Sequence, residues 1–111
     1  MAATLSIQRT FVADHYHDLP GFREARHGHN WTVEATVEAP GACLEEQLAA
    51  WTRLVNYTLL NDQPALAGRN PTTEALAQWA FSFLEEAELR PVQVKVREKA
   101  NYWAACRRPT P

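Results

Sequence analysis

Hydrophobic periodicity switches twice along this chain, and those two switches restrict its fold more than any other feature. Leu5, Ile7 and Phe11 alternate with Ser6, Gln8 and Thr10, the two-residue period of a strand with one buried face. Arg9 falls on the apolar phase and is the exception. Between Asp14 and Arg26 no clean period survives, and Leu19-Pro20-Gly21 signals a turn or loop. β-Branched and aromatic residues return from His27 to Val37, a second strand that Pro40-Gly41 stops. The period then lengthens. Leu44, Leu48, Trp51 and Val55 recur at three- and four-residue spacing, an amphipathic helix that gives way around Asn61-Asp62-Gln63-Pro64. A second helix starts at Asn70-Pro71, with Asn as cap and Pro at the first helical position. It carries Leu76, Trp79, Ala80, Phe83 and Leu84 on one stripe, and Pro91 ends it. Val92, Val94 and Val96 restore the two-residue period, and Asn101 to Cys106 reads as a fourth strand. Arg107 to Pro111 looks like a frayed tail. The order ββααββ predicts an α+β fold, a four-stranded antiparallel sheet with two helices on one face, in one domain over 1–111.

Composition matters mainly for what it excludes. Apolar residues make up 46% and charged residues 22% of 111, which rules out a disordered tail and a disulfide-dense miniature. A formal charge of -2 leaves no electrostatic footprint for nucleic acid. No run approaches the roughly 20 apolar residues that span a bilayer, and Met1 to Gln8 lacks the features of a signal peptide. A cytoplasmic protein is expected. A domain of this size buries only about two thirds of its unfolded surface, so oligomerisation would help it. Cys43 and Cys106 belong to no C-x-x-C pair and read as two structural thiols or a single disulfide.

The chemistry concentrates in one place. Four histidines, His15, His17, His27 and His29, lie within fifteen consecutive residues. Residues two apart in a strand point to the same side, so His27 and His29 present two imidazoles together. Gly28 between them lets another group approach the backbone. His15 lies just past the end of the first strand and converges with them if the loop folds back as a hairpin. Three neutral imidazoles with an open fourth position form the ligand set of catalytic zinc. The competing reading is a chance His-x-His with the other histidines on the surface. His17 shares the phase of His15 and ranks below it as a ligand.

Four stretches, in order, resemble the 6-pyruvoyl-tetrahydropterin synthase family, which includes the 6-carboxytetrahydropterin synthases. Phe11-Val12-Ala13-Asp14-His15 resembles its F-x-A-x-H segment, and Arg26-His27-Gly28-His29-Asn30-Trp31 its HGHN-aromatic segment. Leu60-Asn61-Asp62 with Asn70-Pro71-Thr72-Thr73-Glu74 resembles its L-N-D and N-P-T-x-E segments, and Val96-Arg97-Glu98 its glutamate-bearing strand. The resemblance implies the tunnelling fold (T-fold), zinc on His15, His27 and His29, and a pterin substrate anchored by Glu98. It also implies a homo-oligomer with sites at subunit interfaces. A carboxylate suits that anchor, because a pterin offers a ring N–H and an exocyclic amine side by side, which two carboxylate oxygens accept together. Thr72 and Thr73, at the mouth of the second helix, are candidates for ring contacts, with N-terminal capping as the plainer role.

The chain departs from the family where its chemistry is done. Arg23 stands four residues before HGH, where the family has its usual cysteine, and Asn56 and Tyr57 stand where it has an Asp-His couple. Gly21-Phe22-Arg23-Glu24-Ala25-Arg26-His27 instead resembles the type III subgroup, in which a glutamate three residues before HGH replaces the cysteine. Glu24 is then the base, able to abstract a proton if burial raises its pKa toward neutrality. Tyr57 is a candidate for returning the proton, and Arg23, Arg26 and Lys99 for a triphosphate. The resulting expectation is a zinc-dependent lyase acting on the side chain of 7,8-dihydroneopterin triphosphate or a related dihydropterin. Two alternatives stand beside it: a catalytically impaired pterin- or purine-binding homologue that keeps the zinc, and a zinc site used for unrelated hydrolysis.

Overall fold

The computed structural model describes residues 3–109. In chain order its elements are β1 (Thr4–His15), β2 (Asp18–Leu19), β3 (Phe22–Arg23), β4 (His27–Glu38), α1 (Leu44–Val55), β5 (Thr58–Leu59), α2 (Thr73–Glu86), β6 (Pro91–Lys99) and β7 (Tyr102–Arg107). Two short 3-10 turns, Leu60–Asp62 and Pro64–Leu66, follow β5 and bury Leu60 and Leu66. The sheet order is β5-β1-β4-β6-β7, antiparallel throughout except that two-residue β5 runs parallel to β1 at one edge. No helix among the described residues is long and apolar enough to cross a membrane.

The alternation decides what is buried. Phe11 and Ala13 of β1, Trp31, Val33, Ala35 and Val37 of β4, and Val94 and Val96 of β6 share one face of the sheet. Both helices cover that face. Leu44, Leu48, Trp51 and Val55 of α1 are fully buried, as the spacing predicts. In α2 the buried set is Ala75, Leu76, Ala77, Ala80, Phe81 and Leu84, while Trp79 and Phe83 pack against its margin. Arg9, the misfit of the first strand, is exposed and reaches α1, where its Nε donates to Thr52 Oγ1 at 3.3 Å.

Several boundaries differ from the sequence expectation, each for a local reason. His15 is the last residue of β1 rather than beyond it, because pairing with β4 continues to His15 opposite His27. The loop from Asp14 to Arg26 holds a two-strand hairpin, β2 with β3, turned by Pro20 and Gly21. Gly21 has φ 79°, and a proline followed by a residue at positive φ is what a type II turn requires. Helix α2 starts at Thr73, not at Asn70-Pro71, and its cap is Thr72, whose Oγ1 accepts from the Ala75 N–H at 3.1 Å. Asn70 is occupied elsewhere. The helix ends at Glu86, where Glu88 at φ 66° turns the chain, so Pro91 opens β6 instead of closing α2. Arg107 and Arg108 are not frayed: Arg107 pairs with Gln93, and the Arg108 N–H donates to the Val92 carbonyl. Thr110 and Pro111 lie outside the described residues. Cys43 and Cys106 are free thiols.

Candidate metal centre

Three apolar columns on the helix-covered face of the sheet end in titratable side chains at the same edge of the core. Phe11 and Ala13 lead to His15, Trp31 leads back to His29 and His27, and Val94 and Val96 lead to Glu98. The three imidazoles therefore converge because strand pairing continues beyond the hydrophobic residues. Ring centroids are 4.6 Å apart for His15 and His27, 5.1 Å for His15 and His29, and 4.8 Å for His27 and His29. Trp31 stands edge-on to His15 and His29, and its Nε1–H donates to the Ala13 carbonyl.

Glu98 joins them in the phase of Val94 and Val96, at a sheet irregularity on the β7 side. Arg97 pairs with Trp103 and Lys99 with Tyr102, so Glu98 is the extra residue of a bulge. Its carboxylate lies 3.0 Å from His15 Nε2 and 3.2 Å from His29 Nε2. One ligand atom from each of His15, His27, His29 and Glu98 lies within 4.8 Å of the others.

Proton placement shows what the cluster lacks. His15 Nδ1 lies 2.9 Å from the Pro71 carbonyl and His27 Nδ1 lies 2.9 Å from the Ala25 carbonyl. A carbonyl only accepts, so both Nδ1 atoms carry hydrogen, and in the neutral ring Nε2 is the atom left with a lone pair. Burial holds His15 and His29 below the usual histidine pKa, against the opposing pull of Glu98, and so favours neutral rings. The Nε2 atoms of His15 and His29 are buried without a hydrogen-bond partner, and at His15 the short distance to Glu98 sets lone pair against lone pair. A cluster that turns these buried nitrogens and a carboxylate toward one point is stabilised by a cation there, and the outer Nδ1 hydrogen bonds of His15 and His27 orient those rings for it. These residues fit a divalent metal ion.

Beside the cluster a cavity of about 250 Å³ is lined by Glu24, His27, His29, Thr72, Thr73 and Glu98, together with His17, Lys99 and Tyr102. Glu24 is about one third exposed, and its Oε1 accepts from the His17 N–H at 3.1 Å. Burial pushes the Glu24 carboxyl up, but that hydrogen bond and the nearby His17, His27 and His15 hold it below the ordinary value. The condition of a pKa raised by burial is therefore not met. Glu24 faces imidazoles rather than apolar walls, and it is a carboxylate at neutral pH.

The other candidate residues divide. Thr72 and Thr73 both border the cavity, but Thr72 Oγ1 caps the helix and Thr73 Oγ1 donates to Glu74 Oε1 at 2.8 Å. Tyr57 is not brought to this cavity. It sits at the opposite side of β1 beside Val12, Asp14 and Arg26, 81% exposed, with φ 58°. Arg23 and Arg26 are held by Asp18 and Asp14, at 3.0 and 2.8 Å, leaving Lys99 as the cation among the three that lines the cavity. Gly28 lets a neighbouring group come close, as the sequence hinted: a Cβ there would come within 2.6 Å of Asp14 Oδ1 and displace that side chain.

Two asparagines escaped sequence reasoning as structural fasteners. Asn61 Oδ1 accepts from the Tyr16 N–H at 3.0 Å and its Nδ2 donates to the Tyr16 carbonyl at 2.9 Å. Asn70 treats Asp18 the same way, at 2.7 and 3.2 Å. The signal available was their place in the L-N-D and N-P-T-x-E segments, which says nothing about a partner 45 or 52 residues away.

Comparison with known proteins agrees with this geometry. A family profile described as 6-pyruvoyl tetrahydropterin synthase matches residues 4–109. A protein of Archaeoglobus fulgidus with the name "Putative 6-carboxy-5,6,7,8-tetrahydropterin synthase" is 34% identical, with 94% of this chain and 95% of that protein covered. The structure of Caenorhabditis elegans 6-pyruvoyl tetrahydropterin synthase superposes with a TM-score of 0.82 at 16% identity, covering 98% of this chain and 97% of that one. A Plasmodium vivax 6-pyruvoyltetrahydropterin synthase superposes with a TM-score of 0.70 at 13% identity, covering 99% of each chain. That structure is a catalytic-residue mutant in which a glutamate is replaced by alanine.

Proposed function

The chain belongs to the 6-pyruvoyl tetrahydropterin synthase family, and from that premise we propose that it is a zinc-dependent lyase acting on the side chain of a dihydropterin, with 7,8-dihydroneopterin triphosphate the first substrate to test. The observation that carries the reading is the convergent cluster of His15, His27, His29 and Glu98, with orphaned buried Nε2 atoms, opening onto a cavity that also holds Glu24. Three imidazoles suit zinc, which when bound supplies Lewis acidity toward an oxygen of the substrate side chain.

The chain's own residues take the remaining roles. Glu24, ionised at neutral pH, accepts a proton from the side-chain carbon, and its ordinary basicity suffices only where that proton has been made more acidic. A catalytic glutamate in the Plasmodium vivax relative supports a glutamate in that role. Glu98 accepts the paired ring donors of the pterin, and Lys99 meets an anionic group beyond the ring. Thr72 and Thr73 border the ring through their main chain, their hydroxyls being occupied. Tyr57 serves proton return only in the site of a second copy, which accords with a homo-oligomer whose sites lie between subunits.

The test is incubation of the zinc-loaded protein with 7,8-dihydroneopterin triphosphate and identification of the product by mass spectrometry. Glu24→Gln should reduce turnover on the order of 100-fold or more with zinc content unchanged. Glu98→Ala should weaken pterin binding and likewise keep the metal. Zinc loss in Glu98→Ala would reassign that carboxylate as a fourth ligand. Pterin binding without any product, in wild type, would identify a binding homologue instead.

A further inference from the structure

His17 is the histidine left over when the other three meet Glu98, yet its place is as firmly built as theirs. The ladder of β2 with β3 pairs Leu19 with Phe22 and Asp18 with Arg23, so the next rung is His17 opposite Glu24. The Glu24 N–H donates to the His17 carbonyl at 2.9 Å, and the His17 N–H donates to Glu24 Oε1 at 3.1 Å. Directly opposed residues of an antiparallel pair project to the same side. Accordingly His17 Nδ1 comes within 3.4 Å of the same Oε1.

The residues on either side of His17 are clamped. Tyr16 is held through both main-chain polar groups by Asn61, and Asp18 through both by Asn70. The His17 ring has one outlet for a hydrogen bond. Its Nε2 is buried without a partner, so a proton there would be unsatisfied, whereas a proton on Nδ1 faces the Glu24 carboxylate. At 3.4 Å that contact is longer than a formed hydrogen bond. Such distances shorten when a substrate closes the site.

We propose that His17 is the positioning residue for Glu24, holding Oε1 with its main-chain N–H and its Nδ1–H and leaving Oε2 directed to the substrate. This rests on the reading of Glu24 as the base, and it replaces the place of second-ranked ligand that the spacing alone suggested. No proton leaves the imidazole in this scheme. Its contribution is to fix a flexible carboxylate in one rotamer, on a hairpin anchored by two asparagines.

Two measurements separate this inference from the reading beneath it. In the zinc-loaded protein, at a pH where histidines are neutral, long-range 1H–15N NMR should find His17 as the Nδ1–H tautomer, and Glu24→Ala should shift it toward Nε2–H. That readout needs no turnover. An Nε2–H tautomer in the wild type overturns the pairing. In kinetics, His17→Leu should lower kcat roughly 10- to 100-fold, with KM for the dihydropterin within about twofold and zinc stoichiometry intact. His17→Asn, whose amide restores a donor near the Nδ1 position, should recover most of that loss. A His17→Leu protein with undiminished kcat, or one that has lost zinc, refutes a positioning role. A wild type inactive on every dihydropterin refutes the proposed function, while the tautomer still decides whether His17 and Glu24 are paired.

Discussion

At the residue scale the site is decided by which nitrogen of each imidazole carries hydrogen. Pro71 and Ala25 carbonyls fix His15 and His27, and burial keeps His15 and His29 neutral. This has a consequence for stability. A histidine whose folded pKa lies below its unfolded 6.5 contributes fully above that pH, and the contribution fades as pH falls toward the folded value. The chelator-treated protein should therefore lose melting temperature steadily below pH 6.5, and His29→Gln should flatten that slope. A slope unchanged by the substitution would remove His29 from the titrating set. Zinc at saturation should raise the melting temperature in wild type and much less in His27→Ala, because only a ligand that binds the folded state stabilises it.

At the element scale the hairpin of β2 and β3 contributes least to the core yet carries Glu24. Its position depends on Asn61 and Asn70, which substitute side-chain amides for the strand partner it lacks. Asn61→Ala removes two hydrogen bonds and leaves the Tyr16 main chain unpaired, with an expected cost of about 1–3 kcal/mol by urea unfolding. Hydrogen exchange should then accelerate at residues 16–24 more than in β4. Uniform acceleration would mean the asparagine supports the whole fold rather than the hairpin. The periodicity made the helices and long strands legible, since a stripe of buried side chains is a local record of which face is covered. Asn70 as a helix cap was misread because capping residues and fasteners have the same chemistry, and only the Asp18 backbone nearby decides between them.

At the scale of the whole molecule the sheet has two incompletely paired edges. β7 is outermost on one side, and on the other β5 covers only Ala13 and Asp14 of β1. Leu5 and Val12 on β1, and Tyr102 and Trp103 on β7, are exposed large side chains on these edges. Open edges with apolar side chains pair with further strands, which agrees with the proposed oligomer. Sedimentation should give a mass several times that of one chain, and Trp103→Glu with Val12→Lys should lower it. A monodisperse monomer in wild type would count against sites formed between subunits. The amino-acid sequence by itself determined the order of the long strands and the helices, their buried faces and the placing of His27 and His29 on one side of a strand, because each follows from spacing along a strand or helix. Tertiary structure alone decided that His15 and Glu98 join them, that His17 pairs with Glu24 and that Tyr57 lies apart. Those relations depend on strand order, on hairpin register and on amide clasps between segments distant in sequence, and no periodicity encodes them.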